Sequence, residues 1–167
     1  MMVRKIMLLG EIGVGKTSIV RRLVLDRFEA DYKATIGTDI YRYEVLPSPG
    51  KAPFHFIVWD TDGSFGESIF RSVHVKEAHA ALIVGDLTRR ATLDNAWKLA
   101  TGFANALPGR YLAIVLNKLD LFPPHVDPEV PEAITTSEFP QVKTSAKSGM
   151  NVKHAFHEAA STIVRRG

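Results

Sequence analysis

The run Gly10–Thr17 limits what this chain can fold into more than any other stretch. It reads Gly-Glu-Ile-Gly-Val-Gly-Lys-Thr and meets the pattern G-x-x-x-x-G-K-[ST] at every specified position. Consecutive backbone N–H groups of such a turn converge into a nest for an anion. A helix starting directly behind it adds the positive end of its dipole. Glycines at 10, 13 and 15 let the backbone curl where a Cβ would collide. Lys16 is then placed for the outer groups of a phosphate chain, and the Thr17 hydroxyl for a Mg²⁺ beside them. The flanks agree. Val3–Leu9 is strand-like, and Ser18–Leu25 carries Ile19, Val20, Leu23 and Val24 on one helical side. An ordinary glycine turn has no reason to sit between two such segments.

The rest of the chain alternates strand and helix patterns. That predicts an α/β protein with a mainly parallel sheet and helices on both faces. Asp26–Gly37 lacks periodicity and is expected to be a loop. Thr38–Leu46 and Phe54–Asp60 read as strands joined by a proline-rich connection, Pro47 to Pro53, which suits a hairpin and one antiparallel edge pair. Ala80–Gly85 and Tyr111–Leu116 are nearly continuous apolar runs, as buried strands are. Thr92–Ala106 reads as a helix with Pro108-Gly109 beyond its end. Prolines 123, 124, 128, 131 and 140 keep any helix between them short. Gln141–Thr144 reads as a last short strand. Asn151–Arg165 reads as a closing helix with Val152, Ala155, Phe156, Ala159 and Ile163 inward.

Composition removes several classes of function. The chain has 167 residues, enough for one domain over 1–167 with a real core. It has no cysteine, which excludes a disulfide framework, a thiol nucleophile and cysteine–zinc sites, and suits a reducing compartment. No apolar run reaches the ~20 residues of a membrane helix, and the start, Met-Met-Val-Arg-Lys, lacks a signal-peptide profile. A net charge of +3 is too small and dispersed to argue for nucleic acid.

Four more stretches fall at strand ends, where open α/β sheets bind ligands. Asp60-Thr61-Asp62-Gly63 offers a carboxylate for Mg²⁺ through water and a glycine N–H for a γ-phosphate. Thr35-Ile36-Gly37 offers a hydroxyl that would complete the Mg²⁺ shell only while that phosphate is present. In Asn117-Lys118-Leu119-Asp120, Asp120 can accept two hydrogen bonds from the adjacent N–H and amino groups of guanine. Asn117 can bond the opposite edge, and the Lys118 stem can cover the ring. In Thr144-Ser145-Ala146-Lys147, the Ala146 N–H can donate to the guanine O6. Phe28 adds a ring for the base. Each motif alone is weak; their order and strand-end placement make the set specific.

On these motifs the whole chain resembles a small GTPase of the Ras superfamily, on its Ras/Rab-like side. The resemblance implies a three-layer P-loop NTPase G domain. Its six-stranded, mostly parallel sheet would have one antiparallel edge strand and about five helices. It also implies GTP/GDP and Mg²⁺ as cofactors, and two switch loops, near Asp26–Thr38 and Thr61–Val75. By position, nucleotide contacts would come from Gly10, Gly13, Val14, Gly15, Lys16, Thr17, Ser18, Phe28, Thr35, Gly63, Asn117, Lys118, Asp120, Ser145, Ala146 and Lys147. Metal contacts would come from Thr17, Thr35 and, through water, Asp60. Catalytic roles would fall to Lys16, Thr35 and Gly63, with Asp62 and Ser64 beside them. Implied partners are protein effectors, an exchange factor and an activating protein. The expected state is a monomer in the cytoplasm with no membrane anchor of its own.

Three departures from the family pattern matter. Asp60-Thr61-Asp62-Gly63-Ser64 stands where the family reads Asp-Thr-Ala-Gly-Gln. Ser64 is too short to orient the attacking water as glutamine does. Asp62 either adds negative charge near the γ-phosphate, partly replaces the glutamine, or simply faces solvent. Ile12 replaces the glycine of Ras proper and would crowd an arginine supplied by a partner. The chain as written ends Val164-Arg165-Arg166-Gly167 without a cysteine to prenylate, as expected of an unlipidated or prokaryotic member or of a chain trimmed at its end.

The histidines carry less. His154 and His157, His74 and His79 read as surface or loop residues. His55 reads as facing the sheet side opposite Phe54 and Phe56, and Trp97 as packing on the sheet. Three functions compete: a GTPase switch, a GTP-dependent binding module with little hydrolysis, and a P-loop kinase that has no need of Asn117–Asp120.

Overall fold

Strand and helix alternate along the chain in the computed structural model, which describes residues 2–28 and 37–167. The strands are β1 (Val3–Gly10), β2 (Thr38–Val45), β3 (Phe54–Thr61), β4 (Ala80–Asp86), β5 (Tyr111–Asn117) and β6 (Gln141–Lys143). The helices are α1 (Lys16–Leu25), α2 (Val73–Lys76), α3 (Arg90–Ala106), α4 (Glu132–Thr135) and α5 (Val152–Arg166). The strands form one six-stranded sheet in the order β2-β3-β1-β4-β5-β6. Only the β2–β3 pair is antiparallel, running from Thr38 opposite Thr61 to Val45 opposite Phe54. The expected α/β architecture is therefore present, with its antiparallel strand at the edge.

Period-two alternation divides the core between the two faces of the sheet. Ile6, Leu8, Leu82, Val84, Ala113 and Val115 pack beneath α1 and α5. Met7, Leu9, Ala81, Ile83, Leu112 and Ile114 pack beneath α3. β4 and β5, and β1 from Ile6 on, therefore read as apolar runs because both faces are covered. His55 does face away from Phe54 and Phe56, and its ring lies 2.8 Å from Arg42 and 3.4 Å from Glu44. Trp97 joins the second core, but its ring partner is Phe139, 5.8 Å away in the approach to β6.

The helix starts differ from the sequence reading in instructive ways. α1 begins at Lys16, two residues before the apolar pattern, because the glycine turn itself feeds the first helical turn. α3 begins at Arg90 rather than Thr92. The Thr92 hydroxyl accepts from the Asp86 N–H and donates to the Arg89 carbonyl at 2.7 Å, stitching the helix start to the end of β4. The second proposed switch contains 3-10 turns within Gly63–Arg71, broken by a kink at Gly66 (φ 51°, ψ −142°), and then α2, which alternation patterns cannot show. Among the described residues no helix is long and apolar enough to cross a membrane.

Candidate functional site

All the parallel strands end on the same side of the sheet, and the loops leaving β1, β3, β4, β5 and β6 meet there. Gly10, Gly13 and Gly15 take positive φ of 149°, 79° and 105°. A Cβ at Gly10 would lie 2.4 Å from the Val84 carbonyl oxygen, and one at Gly15 would lie 2.3 Å from Asn117 Nδ2. These two glycines are thus required by crowding as well as by backbone angle. Val14 is fully buried, and Ser18 lies in the first turn of α1.

Lys16 is only 6% exposed. Its ammonium donates to the Gly10 carbonyl at 2.7 Å and the Glu11 carbonyl at 3.0 Å, which holds it inside the turn. Burial pushes its pKa down to about 8, helped by Arg89 and opposed by the charges of Asp60, Asp62 and Glu11.

The Thr17 hydroxyl donates to Asp60 Oδ2 across the root of the turn. Asp60 is fully buried, and burial raises its carboxyl above the ordinary value despite the Thr17 bond and the Lys16 charge. Its Oδ1 is buried with no hydrogen-bond partner among the described residues. An unmet acceptor beside a threonine hydroxyl is what a hydrated Mg²⁺ would satisfy. Among the described residues no group of three or more His, Asp or Glu could hold a metal. His154 is exposed and His157 half-buried, and neither belongs to such a group.

Gly63 lies directly against the glycine turn: a Cβ on it would sit 2.4 Å from the Ile12 nitrogen. Asp62 is half-buried, and its N–H donates to the Gly37 carbonyl at 2.8 Å. The Ile12 side chain is 47% exposed at the mouth of the site. The Ser64 side chain and the whole of Thr35 lie outside the described residues. The far end of the segment after β3 is tied down by Lys5, whose ammonium donates to the His74 carbonyl and lies 3.7 Å above the Trp59 ring. His74 is exposed and stacks obliquely on Trp59 at 5.1 Å. His79 is more than a loop residue, because its Nδ1 accepts from the Lys5 N–H at 3.0 Å.

The other half of the site is built around Asn117, which is 2% exposed. Its Nδ2 donates to the Val14 carbonyl at 3.0 Å. Its Oδ1 accepts from the Thr144 hydroxyl at 3.0 Å and the Ala146 N–H at 3.3 Å. Asn117 thus struts three loops together. Lys118 takes positive φ and donates from Nζ to the Gly13 carbonyl at 2.9 Å and to Asp86 Oδ2 at 2.8 Å. Asp120 is exposed, with Oδ1 accepting from the Ser145 hydroxyl at 2.8 Å. Lys147 and Phe28 are exposed at the rim.

Three residues that hold the site together were not singled out from the sequence. Arg22 on α1 donates to the Ala146 carbonyl at 2.9 Å and the Lys147 carbonyl at 2.5 Å, fixing the last loop. Asp86 ends β4 fully buried. Burial raises its pKa, but bonds from Lys118, Thr88 and Arg89 outweigh burial and leave it lowered. Arg89 joins Asp86 to the Ile12 carbonyl. None carries a motif; the only signal was an isolated charge at the end of a buried strand or on a helix facing a loop.

A family model described as the Ras family matches residues 5–165. The chain is 34% identical over 168 residues to the Ras-related protein RABF2a of Arabidopsis thaliana, spanning 96% of this chain and 81% of that one. It is 31% identical over 176 residues to the Ypt/Rab-type GTPase YPT7 of Saccharomyces cerevisiae, spanning 97% and 82%. It is 30% identical over 165 residues to the Ras-related protein Rab5A of Oryza sativa, spanning 96% and 80%. By these matches and its sheet order the chain belongs to the Ras family of small GTP-binding GTPases, on its Rab-like side.

Proposed function

We propose that residues 1–167 form one domain that works as a slow, monomeric GTPase switch in the cytoplasm. It binds GTP and GDP with Mg²⁺ and presents the bound state to protein partners through residues near 26–38 and 61–75. The observation that carries this reading is the bond from half-buried Thr17 to buried Asp60, with its unmet Asp60 oxygen beside the caged Lys16 ammonium.

Bound Mg²⁺ and GTP would supply the scissile phosphoanhydride and a divalent charge on its oxygens. Lys16, already oriented by two carbonyls, would lie against those oxygens without further ordering. Thr17 would ligate the metal, Asp60 would hold one of its waters, and Thr35 would join them in the GTP form. The Gly63 N–H would face the outer phosphate, which needs the close approach to Ile12 that only glycine permits. Asp120, steadied by Ser145, would read the guanine edge. Ala146 would donate to O6, and Lys118 and Phe28 would cover the ring faces. Asn117 would hold the phosphate side and the base side in register.

Hydrolysis is expected to be slow because Ser64 cannot orient water as glutamine does. Effector, exchange-factor and activator roles follow from the family. Ser64 also favours a second reading, a GTP-dependent binding module with negligible turnover.

The test is to denature the purified protein, identify the released nucleotide by chromatography, and follow single-turnover phosphate release from added GTP. Bound GDP and slow release support the switch. Retained GTP with no release supports the binding module. ADP, or no nucleotide and no guanine preference, refutes both.

A further inference from the structure

Three consecutive carbonyls of the glycine turn are each held by a side chain rooted at the ends of β4 and β5. Asn117 holds the Val14 carbonyl at 3.0 Å, and Lys118 holds the Gly13 carbonyl at 2.9 Å. Arg89 completes the row: its Nη2 donates to the Ile12 carbonyl at 2.9 Å. In a trans peptide the C=O and the following N–H point in opposite directions. Anchoring the carbonyls of residues 12, 13 and 14 on one side therefore aims the N–H groups of Gly13, Val14 and Gly15 to the other side, where they form the nest.

Arg89 is itself well placed for this. Its backbone closes a turn, with its N–H donating to the Asp86 carbonyl at 3.0 Å. The Thr88 N–H and hydroxyl both bond Asp86 Oδ1, at 2.8 and 2.6 Å, and lock that turn. The guanidinium then bridges, with Nε 3.0 Å from Asp86 Oδ2 and Nη2 on the turn. Lys118 rests on the same Asp86 oxygen at 2.8 Å, so one buried carboxylate braces two of the three clamps. A planar guanidinium donates in two directions from one rigid group, which suits this bridge.

We propose that Arg89 is a positioning residue of the phosphate loop, turning the Gly13 N–H into the nest by holding the Ile12 carbonyl from outside. The inference deepens the nucleotide-site reading and rests on it for its functional consequence, though not for the clamp itself. Arg89 touches no reacting atom. It pre-orders one donor of the nest, in a protein whose switch lacks the usual glutamine.

The experiment uses full-length, ¹⁵N-labelled chain as parent, Arg89→Ala, Arg89→Gln and Arg89→Lys. The Gly13, Val14 and Gly15 amide resonances are read without nucleotide and with Mg·GDP, alongside GDP affinity. Arg89→Ala should move the Gly13 amide most and the Gly15 amide least, and weaken GDP by about threefold to tenfold, as loss of one partly exposed charge-assisted hydrogen bond would. Arg89→Gln, a neutral donor, and Arg89→Lys should each recover part of both effects. A Gly13 amide unmoved by Arg89→Ala overturns the proposal. So does Arg89→Gln behaving like Arg89→Ala while Arg89→Lys recovers, because charge rather than the carbonyl bond would then be at work. If the parent binds no guanine nucleotide, the nucleotide-site reading fails, and the nucleotide-free spectra still decide the clamp.

Discussion

Replacing Asn117 with alanine separates a strut from a base contact. The side chain makes three internal hydrogen bonds, to the Val14 carbonyl, the Thr144 hydroxyl and the Ala146 N–H, the last being long at 3.3 Å. Two good bonds at about 1 kcal/mol each, plus about 1–3 kcal/mol for leaving the Val14 carbonyl unmet, give a loss of about 3–5 kcal/mol. Thr144 is fully buried, so its hydroxyl has no ready route to water. For a chain of this size about 2–4 °C of melting temperature goes with each kcal/mol, so a drop on the order of 10 °C is expected. The assay is thermal unfolding by circular dichroism on nucleotide-free protein, because bound GDP would add its own mass-action stabilisation. Asp120→Asn is the control: it is exposed and keeps an oxygen for Ser145, so its change should stay within about 0.5 kcal/mol. If Asn117→Ala melts within about 2 °C of the parent yet loses nucleotide, Asn117 is a ligand contact and the strut argument is wrong.

Three further outcomes are expected. Asp120→Asn should weaken GTP by orders of magnitude and admit xanthosine triphosphate, whose ring carries oxygen in place of the amino group; undiminished GTP preference in competition binding would refute the role of Asp120. In single-turnover assays Ser64→Gln should speed hydrolysis, and more so with Asp62→Ala, since Asp62 brings a second carboxylate toward Lys16; loss of the parent rate in Asp62→Ala alone would make Asp62 the working group. His79, lowered below 6.5 by burial and by Arg4, Arg110 and Lys5, binds its proton more readily unfolded than folded. Stability should therefore fall as pH drops through about 6.5, and His79→Gln, which keeps an acceptor for the Lys5 N–H, should flatten that fall; parallel melting curves for the two proteins would exclude the idea.

The sheet was legible because its strands obey simple periodicities. β4, β5 and the second half of β1 are apolar on both faces, and the proline-rich link marks the hairpin. The glycine turn was legible because positive φ and close contacts force the residue type at 10 and 15. The bracing of that turn was not. Arg22, Asp86 and Arg89 act on backbone carbonyls, which every residue offers, so their partners leave no mark in the sequence. Asn117 was singled out for the base, but its bonds to the Val14 carbonyl, the Thr144 hydroxyl and the Ala146 N–H left no mark in the sequence. The start of α3 was misplaced because Thr92 serves the strand before it as well as the helix.

The antiparallel ribbon of β2 and β3 ends at one pair, Thr38 opposite Thr61, closed by the Asp62 N–H on the Gly37 carbonyl. Two long excursions of the chain therefore leave from a single knot. Conformational entropy is usually lost loop by loop, but here the anchoring of both roots is met once, when the ribbon zips. A partner gripping either excursion inherits a fixed root for the other. The eight-pair ladder behind that knot keeps both roots together even when that one backbone bond is lost.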